Sequence, residues 1–348
     1  MTESPPQPPQ PIARTIPVYH RRPFWVLTIS LVVLIVASIA FVTLSVDNGK
    51  LLFTWDAVSP SLTAKLLGMR LGKLGPMIVV GFAVGLATIV FQTITRNRIL
   101  TPSIMGIDDL FALIQTLLVF FLGGMNVSAI PGPLLFGLES ILLLGMSSLL
   151  FYVVFIRAHR SLYSLALVGI ITGIFFRSIA SLFKRLIDPQ EFLVVIDRSL
   201  ARFEAVDPAL FLTTLALCGV ASLIIWHCRY QLDILTLGRA SSISLGLAYS
   251  PVVLVLLVCC ALLVSVTTAL IGPLTFLGLL VANIAVAVSN TYSHSWLLPI
   301  TGVIGSATLV SAQFVLERLL GVGTVVMVVI ELIGGMLFLI LLLKGAIK

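Results

Sequence analysis

RYQLDILTLGRASSISLGLAYS, residues 229–250, is a polar interruption in an otherwise apolar chain. It is too polar to lie in hydrocarbon, and the runs on either side are long enough to cross a bilayer. Gly238, Ala240, Ser241, Ser242, Ser244, Gly246 and Ala248 are small, while Leu237, Leu245 and Leu247 supply apolar anchors. Small residues admit the close approach of another surface. The stretch therefore reads as a short helix, a turn near Gly238 and a second short helix, facing a partner outside the membrane. A plain solvated connector is the alternative that composition alone leaves open.

Outward from this stretch, the 348 residues are 59% hydrophobic and 10% charged. A water-soluble globule needs a more polar surface, so that class is excluded. The expectation is an all-α integral membrane protein with one membrane domain over residues 23–348. At about 20 apolar residues per span, roughly ten spans fit. The net charge of +7 comes from Lys and Arg scattered at the ends of apolar runs. They are topology signals and form no patch for nucleic acid. Cys218, Cys228, Cys259 and Cys260 lack metal-ligand spacing and read as buried, reduced thiols.

Residues 1–22 contain six prolines and read as a disordered cytoplasmic tail. Spans are expected at about 24–46, 70–95, 102–122, 134–156, 162–187, 208–226, 251–271, 274–288, 296–315 and 324–343. Arg21-Arg22, the bases of Thr95-Arg96-Asn97-Arg98, Arg157 with Arg160, and Lys344 with Lys348 place both termini in the cytoplasm. By the same counting, residues 229–249 are cytoplasmic. Residues 47–66 form an outer loop with a short helix, and residues 188–206 an amphipathic segment over the outer face. Pro102–Gly106 and Pro273–Gly278 punctuate spans at comparable places in the two halves, a pointer to transporter repeats and a midplane pathway.

No catalytic set is visible. Gly49-Lys50 is followed by leucine, so no phosphate-binding loop exists to hold ATP. His20, His159, His227 and His294 have no metal-site spacing. Ionisable groups inside spans mark function by default because they are costly there. Asp108, Asp109, Glu139, Arg177 and Glu331 are those groups. They read either as pairs within the bundle, such as Glu139 with Arg177, or as the wall of a water-filled path. Gln92, Asn97 and Gln115 fit either reading. Arg70, Lys73 and Arg318 should share the outer rim, where a ring of bases could steer an acidic partner or contact lipid headgroups.

Four blocks carry a more specific signal. They are MRLGKLGPMIVVGFAVGLATIVFQTITRNRILTPSIMGIDDLFALIQT within residues 66–116, LGRASSISLG at 237–246, IGPLTFLGLLVANIA at 271–285 and HSWLLPITGVIGSATLVSA at 294–312. Together they closely resemble the FecCD/BtuC-type permeases of bacterial ABC importers for iron chelates, haem and cobalamin. TRNRILTPSIMG and GLLVAN are most similar to the second permease of ferric-siderophore systems; Arg98 and Ala282-Asn283 are departures from the cobalamin branch. Val286 departs from relatives that carry a base there.

The resemblance implies a BtuC-like bundle of about ten helices in the bacterial inner membrane, with short cytoplasmic coupling helices. Leu237, Gly238, Arg239, Ala240, Ser241, Leu245 and Gly246 match the helices that dock on the ATPase subunit. Arg70, Lys73 and Arg318 match bases that receive the substrate-binding protein. Gln92, Asp108, Asp109 and Gln115 are candidates for the translocation path. The resemblance further implies a companion permease of different sequence, ATP and magnesium on the ATPase and none in this chain, and iron carried as a chelate. Haem or cobalamin is the runner-up cargo. An ion-coupled secondary transporter, relaying protons through Asp108, Asp109 and Glu331, is the reading from another class.

Overall fold

Apolar runs interrupted by glycine and proline fold, in the computed structural model, into a helical bundle; residues 21–47, 50–53, 60–153, 162–203, 206–319 and 326–343 are described. The first half holds α1 (Arg21–Thr43), β1 (Leu44–Asp47), β2 (Lys50–Phe53), α2 (Pro60–Thr95), a 3-10 turn (Ser103–Met105), α3 (Ile107–Leu122), α4 (Gly124–Ala129), α5 (Gly132–Phe151) and α6 (Leu162–Lys184). The second half holds α7 (Pro189–Ser199), α8 (Pro208–His227), α9 (Arg229–Leu235), α10 (Arg239–Ser244), α11 (Tyr249–Ile271), α12 (Leu277–Ser289), α13 (His294–Phe314), a π-helical turn (Val315–Leu319) and α14 (Val326–Leu343). Among the described residues, seven helices are long and apolar enough to cross a membrane, and Leu277–Ser289 is a shorter apolar one. The chain is a multi-pass membrane protein. Residues 1–20 of the expected tail, His20, Arg157, His159, Arg160, Lys344 and Lys348 lie outside the described residues.

Two expectations change. The loop over 47–66 holds no separate short helix among its described residues. Instead β1 and β2 pair antiparallel, Leu44 opposite Phe53, and α2 starts at Pro60 and runs 36 residues. Between Pro60 and Arg70 only Gly68 weakens the helix, and a single glycine does not break it; proline is well placed in a first helical turn, so the helix starts earlier than hydropathy alone places it. The expected span over 102–122 is not one helix. A 3-10 turn leads to Gly106 at φ 93°, and α3 then runs 16 residues. The second punctuated segment behaves alike: α11 stops before Gly272 at φ 96°, and α12 begins five residues later at Leu277.

Glycine sets the closest approaches. A Cβ on Gly81 of α2 would sit 2.6 Å from the Gly305 carbonyl oxygen of α13, and Gly305 meets Gly81 reciprocally. The Ser306 hydroxyl donates to the Ile78 carbonyl across the same contact at 2.7 Å. Between α3 and α6, a Cβ on Gly106 would lie 2.9 Å from Gly173 Cα. Small residues allow this backbone contact where lipid offers no hydrophobic driving force. α2 also packs on α11, whose Leu257, Cys260 and Leu263 are fully buried, and α1 covers α13.

The bundle has two distinct ends. One gathers the last turn of α2, the start of α13 and the α9–α10 pair. At the other, the β-hairpin packs on the π-helical turn, and α7 lies against α3 and α4. Gly81→Leu should overpack the α2–α13 seam at a cost of about 1–3 kcal/mol or more, lowering the thermal midpoint of the purified protein in detergent. Gly145→Ala, in the interior of α5 where nothing lies within 4 Å of the added Cβ, should leave it unchanged or raise it slightly.

Candidate functional site

The polar stretch forms the helix–turn–helix expected of it. α9 ends at Leu235, Gly238 takes φ 93°, and α10 follows over six residues. A side chain at Gly238 would be strained, and its Cβ would stand 2.9 Å from an Arg96 guanidinium nitrogen. The buried Ser242 hydroxyl donates to the carbonyls of Gly238 at 2.7 Å and Ile234 at 3.0 Å, welding the two short helices together. Outward, Leu237, Ile243 and Leu245 are 57%, 52% and 61% exposed, with Arg239, Ala240, Ser241 and Gly246 also exposed between them. Gly246 has φ 82° and open space around it.

This surface is clasped to the bundle. Asp233 Oδ1 accepts from the backbone N–H of His294 and bonds its ring Nδ1, each at 2.7 Å. The other ring nitrogen lies 2.8 Å from the Thr93 hydroxyl on α2. His294 is buried and opens α13, so one carboxylate joins the short helices to the two long helices of the glycine seam. Beside it lies a cavity of about 270 Å³ lined by Gln92, Arg96, Asn97, Arg98, Thr236 and His294 among others. Gln92 is buried and donates from Nε2 to the Arg98 carbonyl at 2.7 Å, closing the turn after α2.

At the opposite end the expected basic rim is divided. Arg70 is buried, and its guanidinium donates to the Val42 carbonyl in the last turn of α1 at 2.6 Å. An arginine there satisfies a helix-end carbonyl that would otherwise be left without a partner. Lys73 lies 3.5 Å from Glu317 in the π-helical turn that also contains Arg318. Below this rim runs a relay: Arg198 of α7 donates to Gln115 at 3.0 Å, and Gln115 donates to buried Glu139 at 2.7 Å. A cavity of about 360 Å³ opens alongside it.

The intramembrane charges pair differently from the expected Glu139–Arg177 couple. Glu139 takes the amide of Gln115, while Arg177 makes a two-pronged bond to Asp109, Nε to Oδ1 at 2.9 Å and Nη2 to Oδ2 at 3.0 Å. Asp109 lies in the first turn of α3, and α3 packs directly on α6, which puts this carboxylate nearest the guanidinium. Asp108 accepts from the Thr275 hydroxyl at 2.8 Å, so the two punctuated segments of the chain meet at one hydrogen bond. Among the described residues no three metal-ligating side chains cluster. Sequence reasoning missed Asp233, His294 and Arg198. His294 was visible only as a polar residue at a span end, and its partner is 61 positions away.

The FecCD transport family model matches residues 27–344. The petrobactin import system permease protein YclO of Bacillus subtilis (strain 168) is 38% identical over 290 residues, 83% of this chain and 90% of that protein. The petrobactin import system permease protein FatC of Bacillus anthracis is 34% identical over 275 residues, 79% of this chain and 78% of that one. A solved structure of a metal-chelate type ABC transporter in an inward-facing conformation superposes with a TM-score of 0.77. It covers 92% of this chain and 99% of its own at 21% identity, a likeness of fold. With a family match that spans the bundle from α1 to the end of α14, the chain belongs to the FecCD transport family.

Proposed function

We propose that this chain is the membrane-spanning permease subunit of a binding-protein-dependent ABC importer for a ferric siderophore. The observation that carries the reading is the exposed apolar surface of α9–α10, held at one end of the bundle by the Asp233–His294 clasp. Leu237, Ile243 and Leu245 in water ask for a protein partner, and an exposed apolar patch of this kind marks an interaction site. The siderophore assignment draws on the two relatives named as petrobactin import permeases.

On this reading, the seven long helices are joined by α3, α12 and α14 to make about ten spans in a bacterial plasma membrane, with both termini cytoplasmic. α9–α10 are the coupling helices that dock on a separate ATPase, which holds ATP and magnesium. Lys73 and Arg318 meet acidic residues of a substrate-binding protein, and Arg70, buried against the end of α1, holds that helix at the same end of the bundle. A companion permease completes the path. This chain does no covalent chemistry; ligand and ATP act by biasing the same two-state bundle from its two ends.

Uptake of radiolabelled iron, presented as a panel of siderophores, and of labelled cobalamin should be compared in source cells with and without this gene. Loss of one ferric-siderophore signal, restored by the wild-type gene, is expected. Loss of cobalamin uptake alone would overturn the cargo assignment. Gly246→Glu, which puts a strained charged side chain on the docking face, should cut uptake at least tenfold while ATP hydrolysis by the membrane-bound ATPase persists. Normal uptake in that variant would sink the docking assignment. Asp233→Ala removes the shared acceptor of the clasp and should cost about 1–3 kcal/mol of local stability, read as protease sensitivity at α9–α10 and severalfold slower uptake. Asp233→Asn keeps an oxygen acceptor and should be milder on both measures.

A further inference from the structure

Arg177 is the charged group that the packing of the bundle does not explain. Its side chain is 70% exposed although it belongs to an apolar helix, and the Asp109 carboxylate that holds it is 19% exposed. An arginine near a helix end in lipid turns its head toward the nearer interface. Arg177 turns the other way. The Phe120 and Phe183 rings, 4.8 Å apart, bring α3 and α6 level near their outer ends. From that level Arg177 lies six residues deeper, about 9 Å, and Asp109 eleven residues deeper, about 16 Å. The guanidinium therefore points down into the membrane, along the direction in which helical side chains lean.

The outer two turns of that helix, from Arg177 to Lys184, agree, while deeper in the same sector the exposed residues are Ile174, Ile170 and Leu167. At about 100° per residue, Arg177, Ser178, Ser181 and Lys184 fall in one sector about 120° wide, and Ile179, Ala180, Leu182 and Phe183 fall outside it. Arg177, Ser178 and Ser181 are exposed, as is Arg185 just beyond the helix. The Ser178 hydroxyl is satisfied within its own helix, donating to the Ile174 carbonyl at 2.8 Å, so the demand for water comes from the charged groups of this flank, which lipid solvates at high cost. The bidentate pair uses Nε and one hydrogen of Nη2, so Nη1 has no partner among the described residues. Arg177, Lys184 and Arg185 outnumber the single carboxylate, Asp109, that pairs with any of them among the described residues.

The geometry points to a cargo-contact site: the Arg177 flank of α6 lines the water-filled path, and the unused edge of its guanidinium receives an anionic chelate through carboxylate or phenolate oxygens. Asp109 is a positioning residue, holding the fork at that depth. Two N–H groups left on one planar edge suit an oxygen pair better than a lysine ammonium would. This deepens the importer reading and rests on it.

The test uses the assembled transporter in membrane vesicles. Single cysteines at Ser178, Ser181, Phe175 and Leu182 are probed with membrane-impermeant thiol reagents, one anionic and one cationic, against the chain with only its four native, free cysteines. Ser178→Cys and Ser181→Cys should react, faster with the anionic reagent, and cargo-loaded binding protein should slow them. Phe175→Cys and Leu182→Cys should stay unreactive. Equal labelling of both flanks overturns the inference, as does an unreactive Ser178→Cys that instead forms a disulfide with the companion permease. In uptake, Arg177→Gln should lose at least tenfold for an anionic ferric chelate, with Arg177→Lys between it and wild type; full uptake by Arg177→Gln also overturns it. Asp109→Asn should raise the KM for loaded binding protein and lower the anionic-to-cationic labelling ratio at Ser181→Cys. If wild-type vesicles take up no ferric chelate, the importer reading fails, and the labelling arm, which needs no cargo, still decides whether the flank faces water.

Discussion

Hydrocarbon offers no hydrogen bonds, so every backbone group at membrane depth must be satisfied from within the protein. The structure departs from continuous helix where neighbours meet that demand. Around Gly272, the Arg202 amide donates to the Ile271 carbonyl at 2.6 Å, and the Gly272 amide itself donates to Thr268 at 2.7 Å. Around Gly106, the close backbone of Gly173 shields the break, and Leu110 donates back to the Gly106 carbonyl at 2.9 Å. Thr275 and Asp108 then tie one broken segment to the other. Breaks placed elsewhere would leave polar groups in lipid at several kcal/mol each.

The polar side chains follow the same economy at three depths. At the α9–α10 end, Asp233 serves a helix N-terminus and a ring nitrogen with one oxygen. In the middle, Asp109 and Arg177 neutralise each other through two bonds. At the far end, Gln115 turns a donor to Glu139 and an acceptor to Arg198, so that an amphipathic helix on the surface is connected to a buried carboxylate. Each link crosses between elements that pack against each other but are distant in sequence. A shift of α9 must therefore disturb α13 and α2 directly, because the Asp233–His294–Thr93 chain is short and its central ring is buried. Rigid seams such as Gly81–Gly305 would carry that displacement along the bundle, since close-packed interiors transmit strain.

Charge placement separates two arginines that the sequence presents alike. Arg70 is buried and spends its guanidinium on the end of α1. Arg177 is exposed and held by a carboxylate through Nε and Nη2. Sequence position gives the two the same appearance, a base within or beside an apolar run. Their difference is the direction of the side chain and what it meets.

Much of the architecture was legible in the residues. Hydropathy placed most of the long helices to within a few residues, since burial in lipid demands length and apolarity of each helix alone; α2, which begins ten residues before its expected start, is the exception. Glycine and proline marked both breaks, because φ near 90° and a missing amide are properties of single residues. The small residues between Leu237 and Gly246 announced two short helices and a turn. What the residues did not disclose was partnership. Whether Glu139 or Asp109 meets Arg177, whether Arg70 faces water or a carbonyl, and that Asp233 reaches His294 all depend on which helix lies beside which and at what height. Local composition constrains a helix from its own residues, whereas a hydrogen bond between helices needs two surfaces aligned within an ångström, and that alignment was decided by the tertiary packing.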